Sequence, residues 1–189
     1  MHTEYEASFL NINKEVLRQK LREVGARLVY PEYMMKRVVF DPPIDIPGGW
    51  MRVRQEAESI TMSLKIVDGT NIDNQKEVML EITDFEQGVL FLESIGAKRK
   101  AYLETLRELS VFDDLQVDVC IDTWPGLAPF VEIEGTSEEV VKVVVEKLGF
   151  DYSQAIFGGV DVKYQIELGI PTKVVNAMPL ITFDKPPQV

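Results

Sequence analysis

Several stretches of this chain alternate in the manner of strands and gather like charges on one face. TEYEASF places Glu4, Glu6 and Ser8 together, FVEIEG places Glu132 and Glu134 together, and WMRVRQ sets Arg52 and Arg54 opposite Met51 and Val53. TMSLKIV sets Thr61, Ser63 and Lys65 against Met62, Leu64 and Ile66, and LQVDVCID sets Asp118, Cys120 and Asp122 against Val117, Val119 and Ile121. Because strand side chains alternate, each stretch has one apolar and one polar face. In an ordinary half-buried sheet the polar face is solvated. Here the polar faces are sorted by sign, and neighbouring carboxylates repel unless a positive group lies between them. If helices cover the apolar faces, the polar faces turn towards one another, and a sheet closed on itself acquires a charged lumen.

Helices are available for that role. Three segments follow one plan of strand, cap, amphipathic helix and terminal glycine. In the first, Asn13 caps, Val16, Leu17, Leu21 and Val24 share a face, and Gly25 ends the helix. In the second, Asp84 caps, Val89, Leu92 and Ile95 repeat at helical spacing, and Gly96 stops the run. In the third, Ser137 caps and Gly149 stops. Fifteen residues separate Glu81 from Gly96 and Glu134 from Gly149, a spacing that suggests internal duplication. Between these units lie further strands. Asp113-Asp114 reads as a hairpin turn between TLRELSVF and LQVDVCID, DPPIDIPGG as a stiff loop and DGTNIDNQ as a turn-rich one. VDVKYQIELG reads as a short helix, and the last stretch, from Pro171, as an irregular or strand-like tail. Runs of neighbouring strands with a few helices indicate an α+β protein with a largely antiparallel sheet. The expected division is one domain over residues 1–169 with a C-terminal tail over 170–189.

Composition narrows the chemistry. The formal net charge of -11 argues against general nucleic-acid binding, which needs a basic surface, though it leaves room for a local basic pocket. One cysteine, Cys120, and one histidine, His2, exclude an intrachain disulfide and a Cys/His zinc site. A Ser–His or Cys–His triad would have to use His2, at the N-terminus. The N-terminus lacks a basic stretch followed by an apolar run, and the apolar runs fall far short of the roughly 18 residues of a membrane span. A soluble cytoplasmic protein with no membrane partner is the expectation. No G-x-x-x-x-G-K loop occurs, so this is not a P-loop protein.

Paired glutamates are hard oxygen donors suited to Mg²⁺ or Mn²⁺. Arginines and a lysine suit phosphate oxygens. Buried charges must be paired or hold an ion, so acids for a metal and bases for phosphates together describe a polyphosphate site.

The same residues, in the same order, resemble the CYTH superfamily of triphosphate tunnel metalloenzymes, which includes class IV adenylyl cyclases, thiamine triphosphatases and inorganic triphosphatases. Glu4-Tyr5-Glu6-Ala7-Ser8 resembles its E-x-E-x-K signature, WMRVR its R-x-R strand and TMSLK the strand ending in lysine. TLRE resembles the later basic strand, CIDTWPGLAPFVEIEG the aspartate, turn and E-x-E strand, and VKYQIEL the C-terminal K-S-Y-x-E-L helix. The resemblance spans residues 3 to 169. It implies an eight-stranded antiparallel closed β-barrel, a tunnel, with helices packed outside. It implies that Glu4, Glu6, Glu132 and Glu134 hold one or two divalent ions, Mg²⁺ or Mn²⁺. It makes Arg52, Arg54, Lys65, Arg107 and Lys163 phosphate-binding residues and places Glu4, Glu6, Arg107 and Asp122 in the catalytic machinery. The partner would be a small-molecule triphosphate, whether a nucleotide, thiamine triphosphate or tripolyphosphate, bound by a monomer or homodimer. Hydrolysis, cyclisation of ATP to cyclic AMP and pyrophosphate, and binding without turnover are the three readings this allows.

Two positions depart from the pattern. Ser8 stands where the signature has lysine, and Thr105 where the later strand often carries one. At about 1 kcal/mol for each charge-assisted contact, every lost lysine costs several-fold to tenfold in affinity. The stretch KRVVFD offers Lys36 or Arg37 as replacement charge. Lys98, Arg99 and Lys100 form a basic cluster expected at a helix end, where cations favour the dipole.

Overall fold

The computed structural model describes residues 1–67, 69 and 71–188. Strand β1 (His2–Phe9) leads into helix α1 (Lys14–Glu23), then β2 (Arg27–Asp41), β3 (Gly49–Gln55), β4 (Ile60–Val67) and β5 (Gln75–Ile82). Helix α2 (Phe85–Ser94) is followed by β6 (Lys98–Phe112), β7 (Val117–Thr123), β8 (Phe130–Gly135) and helix α3 (Glu138–Leu148). A 3-10 turn (Tyr152–Gln154), helices α4 (Val160–Leu168) and α5 (Thr172–Val175) and a two-residue strand β9 (Leu180–Ile181) complete the described chain. Strands pair in the order β2-β3-β4-β5-β1-β8-β7-β6, and β6 pairs again with β2, so the eight strands close into a barrel. Every pair in the ring is antiparallel; β9 adds to β6 in parallel. The α+β class and the closed antiparallel barrel are as expected. The strands of the three strand–helix units, β5, β1 and β8, are neighbours in the ring.

The helices begin and end for local reasons. Asn13, Asp84 and Ser137 each accept a hydrogen bond from the backbone N–H three residues on, satisfying an orphan donor of the first turn. Gly149 ends α3 in the left-handed conformation that glycine adopts without steric cost. The apolar faces of α1 and α3 cover the outside of the barrel over Ala7, Phe9, Val119, Ile121, Val131 and Ile133. Helix α2 covers Val38, Phe40 and Val53 through Phe85, Val89 and Leu92. A third cluster joins Trp124, Leu127, Phe130, Tyr164, Ile170, Val175 and Ile181. It packs α4, α5 and β9 against one end of the barrel.

Four local expectations are corrected. Val16 is 65% exposed and Ile95 47% exposed, so only Leu17 and Leu21 of α1, and Val89 and Leu92 on the expected stripe of α2, are buried. Val16 lies in the first turn of α1 and Ile95 just past the end of α2, where neither meets the barrel. The basic cluster lies not at a helix end but at the start of β6, because α2 stops at Ser94 and β6 begins at Lys98. The tail is not merely irregular or strand-like, since α5 and β9 both form within it. Of the loop DGTNIDNQ, Asp68 and Thr70 lie outside the described residues. No helix among the described residues is long and apolar enough to cross a membrane.

Candidate active site

The polar faces of the strands meet inside the barrel around a cavity of about 1360 Å³. Its acids come chiefly from β1, β8 and β7, with one from β5. In the β1–β8 register Glu6 lies opposite Glu134 and Ser8 opposite Glu132. Glu4 and Glu6 therefore share the lumen with Glu132 and Glu134, and Glu77 of β5 and Asp122 of β7 also line it. The bases come from β2, β3, β4, β6 and α4. Lys65 reaches Glu4 at 2.6 Å, Arg52 reaches Glu77 at 3.0 Å, and Arg54 reaches Glu56 at 2.5 Å. Arg107 Nε and Nη2 donate to the two carboxylate oxygens of Asp122 at 2.7 and 2.5 Å, and Nη2 also donates to Glu132 at 2.8 Å. Lys163 is fully buried, crosses the Phe130 ring at 5.0 Å, and donates to the other oxygen of Glu132 at 3.2 Å.

All the sequence-derived candidates, Glu4, Glu6, Arg52, Arg54, Lys65, Arg107, Asp122, Glu132, Glu134 and Lys163, are thus gathered in or at one lumen. Ser8 and Thr105 are both fully buried neutral groups. Glu132, the cross-strand neighbour of Ser8, draws its cations from Lys163 on α4 and Arg107 on β6. Lys36 points out of the lumen and sits over the Phe85 ring, whereas Arg37 points in. Three acids escaped the sequence reading, one of them Asp161 in the first turn of α4. Glu56 follows the end of β3 and sits at the rim. Glu77 lies on the same face as Gln75 and Met79 of β5; that alternation was readable, but only the register opposite β4 sets Glu77 beside Lys65.

The electrostatics separate two kinds of acid. Burial, then the diagonal Glu77, push Glu4 up to about 8. Burial and Glu132 push Glu6 up to about 7, and burial raises Glu134. For Glu77 burial is outweighed by bonds to Glu4 and the charges of Arg52 and Lys65, which bring it down to about 2. Glu132 is likewise held below the usual carboxylate range, because Lys163 and Arg107 outweigh its burial. Burial pushes the Cys120 thiol well up, so it stays protonated and is no nucleophile.

Glu6 and Glu134 have no ion-pair partner among the described residues, and in Glu4 burial and Glu77 outweigh the one cation, Lys65; the oxygen donors and mutual repulsion of the three fit a hard divalent cation. Among the described residues no three His, Cys, Asp or Glu side chains already converge at metal-binding distance. Glu4 and Glu132 are turned to Lys65, Lys163 and Arg107 instead.

No family model matches the chain. No curated protein matches it either. Solved structures do. A conserved hypothetical protein from Pyrococcus furiosus is 23% identical with a TM-score of 0.65, over 81% of this chain and 94% of that one. A candidate adenylate cyclase from Vibrio parahaemolyticus is 13% identical with a TM-score of 0.69, over 84% and 95%. HpAC1 from Hippeastrum, a candidate adenylyl cyclase described as having a dominant triphosphatase activity, is 12% identical with a TM-score of 0.56, over 92% and 100%. At these identities the likeness is one of fold. The chain shares with these structures its fold, the closed antiparallel barrel with helices outside that the sequence led us to expect.

Proposed function

We propose that the protein is a divalent-metal-dependent phosphohydrolase acting on an organic or inorganic triphosphate bound in the barrel lumen. The observation that carries this reading is the buried meeting of cations from five elements with acids from neighbouring strands in one cavity. Arg52, Arg54, Lys65, Arg107 and Lys163 are the groups that would bind phosphate oxygens, exchanging their present carboxylate partners for the substrate's charge-assisted bonds. Asp122 fixes the guanidinium plane of Arg107 by its two-point grip, and Glu77 and Ser63 together hold that of Arg52 by accepting from Nη2 and Nε. Glu4, Glu6, Glu132 and Glu134 would hold Mg²⁺ or Mn²⁺. When bound, such an ion supplies neutralisation of phosphate charge and a more acidic water. Many of the charged groups inside the wall are largely buried, which strengthens the interactions among them.

Hydrolysis is preferred to cyclisation because no residue is identified that would orient a ribose hydroxyl. The cyclase descriptions of two similar structures make ATP cyclisation the second reading. The neutral Ser8 and Thr105 motivate a third, binding without turnover. Incubation with ATP, tripolyphosphate and thiamine triphosphate, each with Mg²⁺ or Mn²⁺, separates them. Metal-dependent phosphate release is the expected result; cyclic AMP would transfer the assignment to the cyclase reading, and tight binding without product to the binding module. The double variant Glu4→Gln, Glu6→Gln is expected to abolish turnover while remaining folded, and full activity in that variant would overturn the metal assignment.

A further inference from the structure

Among the described residues, Arg37, Arg52, Arg54, Lys65 and Arg107 of the barrel wall and Lys163 of α4 bring cations to the lumen, with Lys100 at its edge beside Asp41. Arg52, Arg54, Lys65, Arg107 and Lys163 each end on a carboxylate within 4.0 Å. Among the described residues Arg37 does not. It is only 7% exposed, yet its partners are all neutral. Its Nη2 donates to Thr105 Oγ1 at 2.8 Å and meets Met35 Sδ at 3.2 Å, and its guanidinium lies 4.8 Å from the centre of the Trp124 ring. Its Nε has no hydrogen-bond partner among the described residues. Asp122, the acid that acts on it electrostatically, already spends both oxygens on Arg107.

A buried guanidinium without a countercharge is a standing cost to the fold. Burial and the nearby Arg52, Arg54 and Arg107 hold its pKa well below the ordinary arginine value, the direction expected of a cation awaiting an anion. Every other contact it makes serves to aim it. Thr105 fixes one arm and the indole face of Trp124 supports the plane, while Nε is left buried with no partner on a side chain that lines the lumen.

We propose that Arg37 is an anion-binding residue of this site, donating to a phosphoryl oxygen, and that Thr105 is its positioning residue. This deepens the triphosphate reading and rests on it. The β2–β6 register sets Met35 opposite Thr105 and Arg37 opposite Leu103, so Arg37 and Thr105 are diagonal neighbours on the lumen face. A cation borne on β2 thereby covers the space that a lysine at position 105 of β6 would cover. The neutral Thr105 is then not a lost charge but the condition for Arg37. A lysine there would set two unpaired cations against each other.

The arrangement makes an exchange test available, read with inorganic tripolyphosphate as the probe. Its affinity is measured by calorimetry without metal, and thermal unfolding is followed with and without it. Arg37→Met is expected to weaken tripolyphosphate binding about tenfold or more, since a charge-assisted bond to a buried group is lost. The same variant is expected to unfold at the same or a higher temperature than wild type without the probe, because an uncompensated charge has been replaced by an apolar chain of similar length. Arg37→Met combined with Thr105→Lys should regain most of the lost affinity. Thr105→Lys alone should not gain over wild type. Thr105→Val should weaken binding a few-fold while leaving the charge in place. If Arg37→Met proves insoluble, Arg37→Lys, which keeps the charge and loses the fork, should show a few-fold loss. Unchanged affinity in the soluble Arg37 variant, beside a wild type that binds, overturns the role of Arg37 and leaves the triphosphate reading standing. A lowered unfolding temperature with wild-type affinity assigns Arg37 to structure and overturns it too. Failure of wild type itself to bind tripolyphosphate, ATP or thiamine triphosphate, with or without metal, overturns both.

Discussion

Glu4 and Glu6 carry the largest imbalance at the scale of single residues. With pKa values raised to about 8 and about 7, they hold protons in the folded protein at pH values where the unfolded chain, at the ordinary 4.5, has released them. Between those limits the folded state binds more protons than the unfolded one, so stability falls as pH rises. Their favourable contribution is fully present below about pH 4.5 and is lost as pH climbs through 7 to 8. The unfolding temperature of chelator-treated protein is expected to decline from pH 5 to pH 9. Glu4→Gln with Glu6→Gln should flatten that decline. A rise across the same window would instead mean that both carboxylates are ionised and well paired in the fold. The acids were legible in the sequence because strand alternation assigns a face from spacing alone. What spacing cannot assign is the neighbour. That Glu77 lies diagonal to Glu4, that Lys163 rather than a β1 lysine joins Arg107 at Glu132, and that Arg37 rather than Lys36 enters the lumen all depend on register and on which strand closes on which.

At the scale of elements, helices are needed to dry the outside of the barrel so that its inside can be charged. Helix α2 shows how much of this periodicity reveals. Leu92 is fully buried against Val38, Phe40 and Val53, while Leu90 is 53% exposed two residues earlier. Leu92→Ala is expected to destabilise by about 2–5 kcal/mol, the range for emptying a packed core position. Leu90→Ala should stay within about 0.5 kcal/mol, as expected of a surface site. Chemical denaturation of the two variants checks the orientation of α2, and a comparable loss from both would mean that its outer face is also covered. The spacing of apolar residues gave this face, but not where the helix stops, so Ile95 fell outside the buried stripe. The long strand β2 was harder to read for a different reason. Its C-terminal half is buried on both sides, with Val38 and Phe40 under α2 and Arg37 and Val39 towards the lumen, so Lys36–Asp41 does not alternate. Its N-terminal half carries register shifts between Leu28 and Tyr30 and between Tyr30 and Tyr33.

At the scale of the whole molecule, closure removes the sheet edges and creates two ends, one of which the C-terminal region covers. Sign-sorted faces foretold a charged lumen, because acids on β1 and β8 lie within two strands of bases on β4 and β6, and the β2–β6 pairing then encloses that face. They could not foretell the cover, whose pieces are too short to carry a period: four residues of α5 and two of β9. Their stability is tertiary. Ile170, Val175 and Ile181 are buried against Trp124, Phe130 and Tyr164, and β9 takes its register from Tyr102 and Leu103 of β6. The hydroxyl of Tyr164 donates to the carbonyl of Pro125 at 2.6 Å, which ties α4 to the loop before β8. Burying three aliphatic side chains stabilises by about 2 kcal/mol each. Their removal also uncovers an aromatic cluster and loosens the helix that delivers Lys163 to Glu132. Truncation after Gly169 is therefore expected to lower the unfolding temperature and to raise binding of an apolar dye. It should also weaken tripolyphosphate binding more than Lys163→Met alone does in the full chain, since the truncated protein loses the placement of α4 as well as the firmness of the wall. If the truncated protein unfolds at the wild-type temperature and binds the probe with unchanged affinity, residues 170–189 are a passive appendage, and the cover that the tunnel needs at this end is supplied by α4 alone.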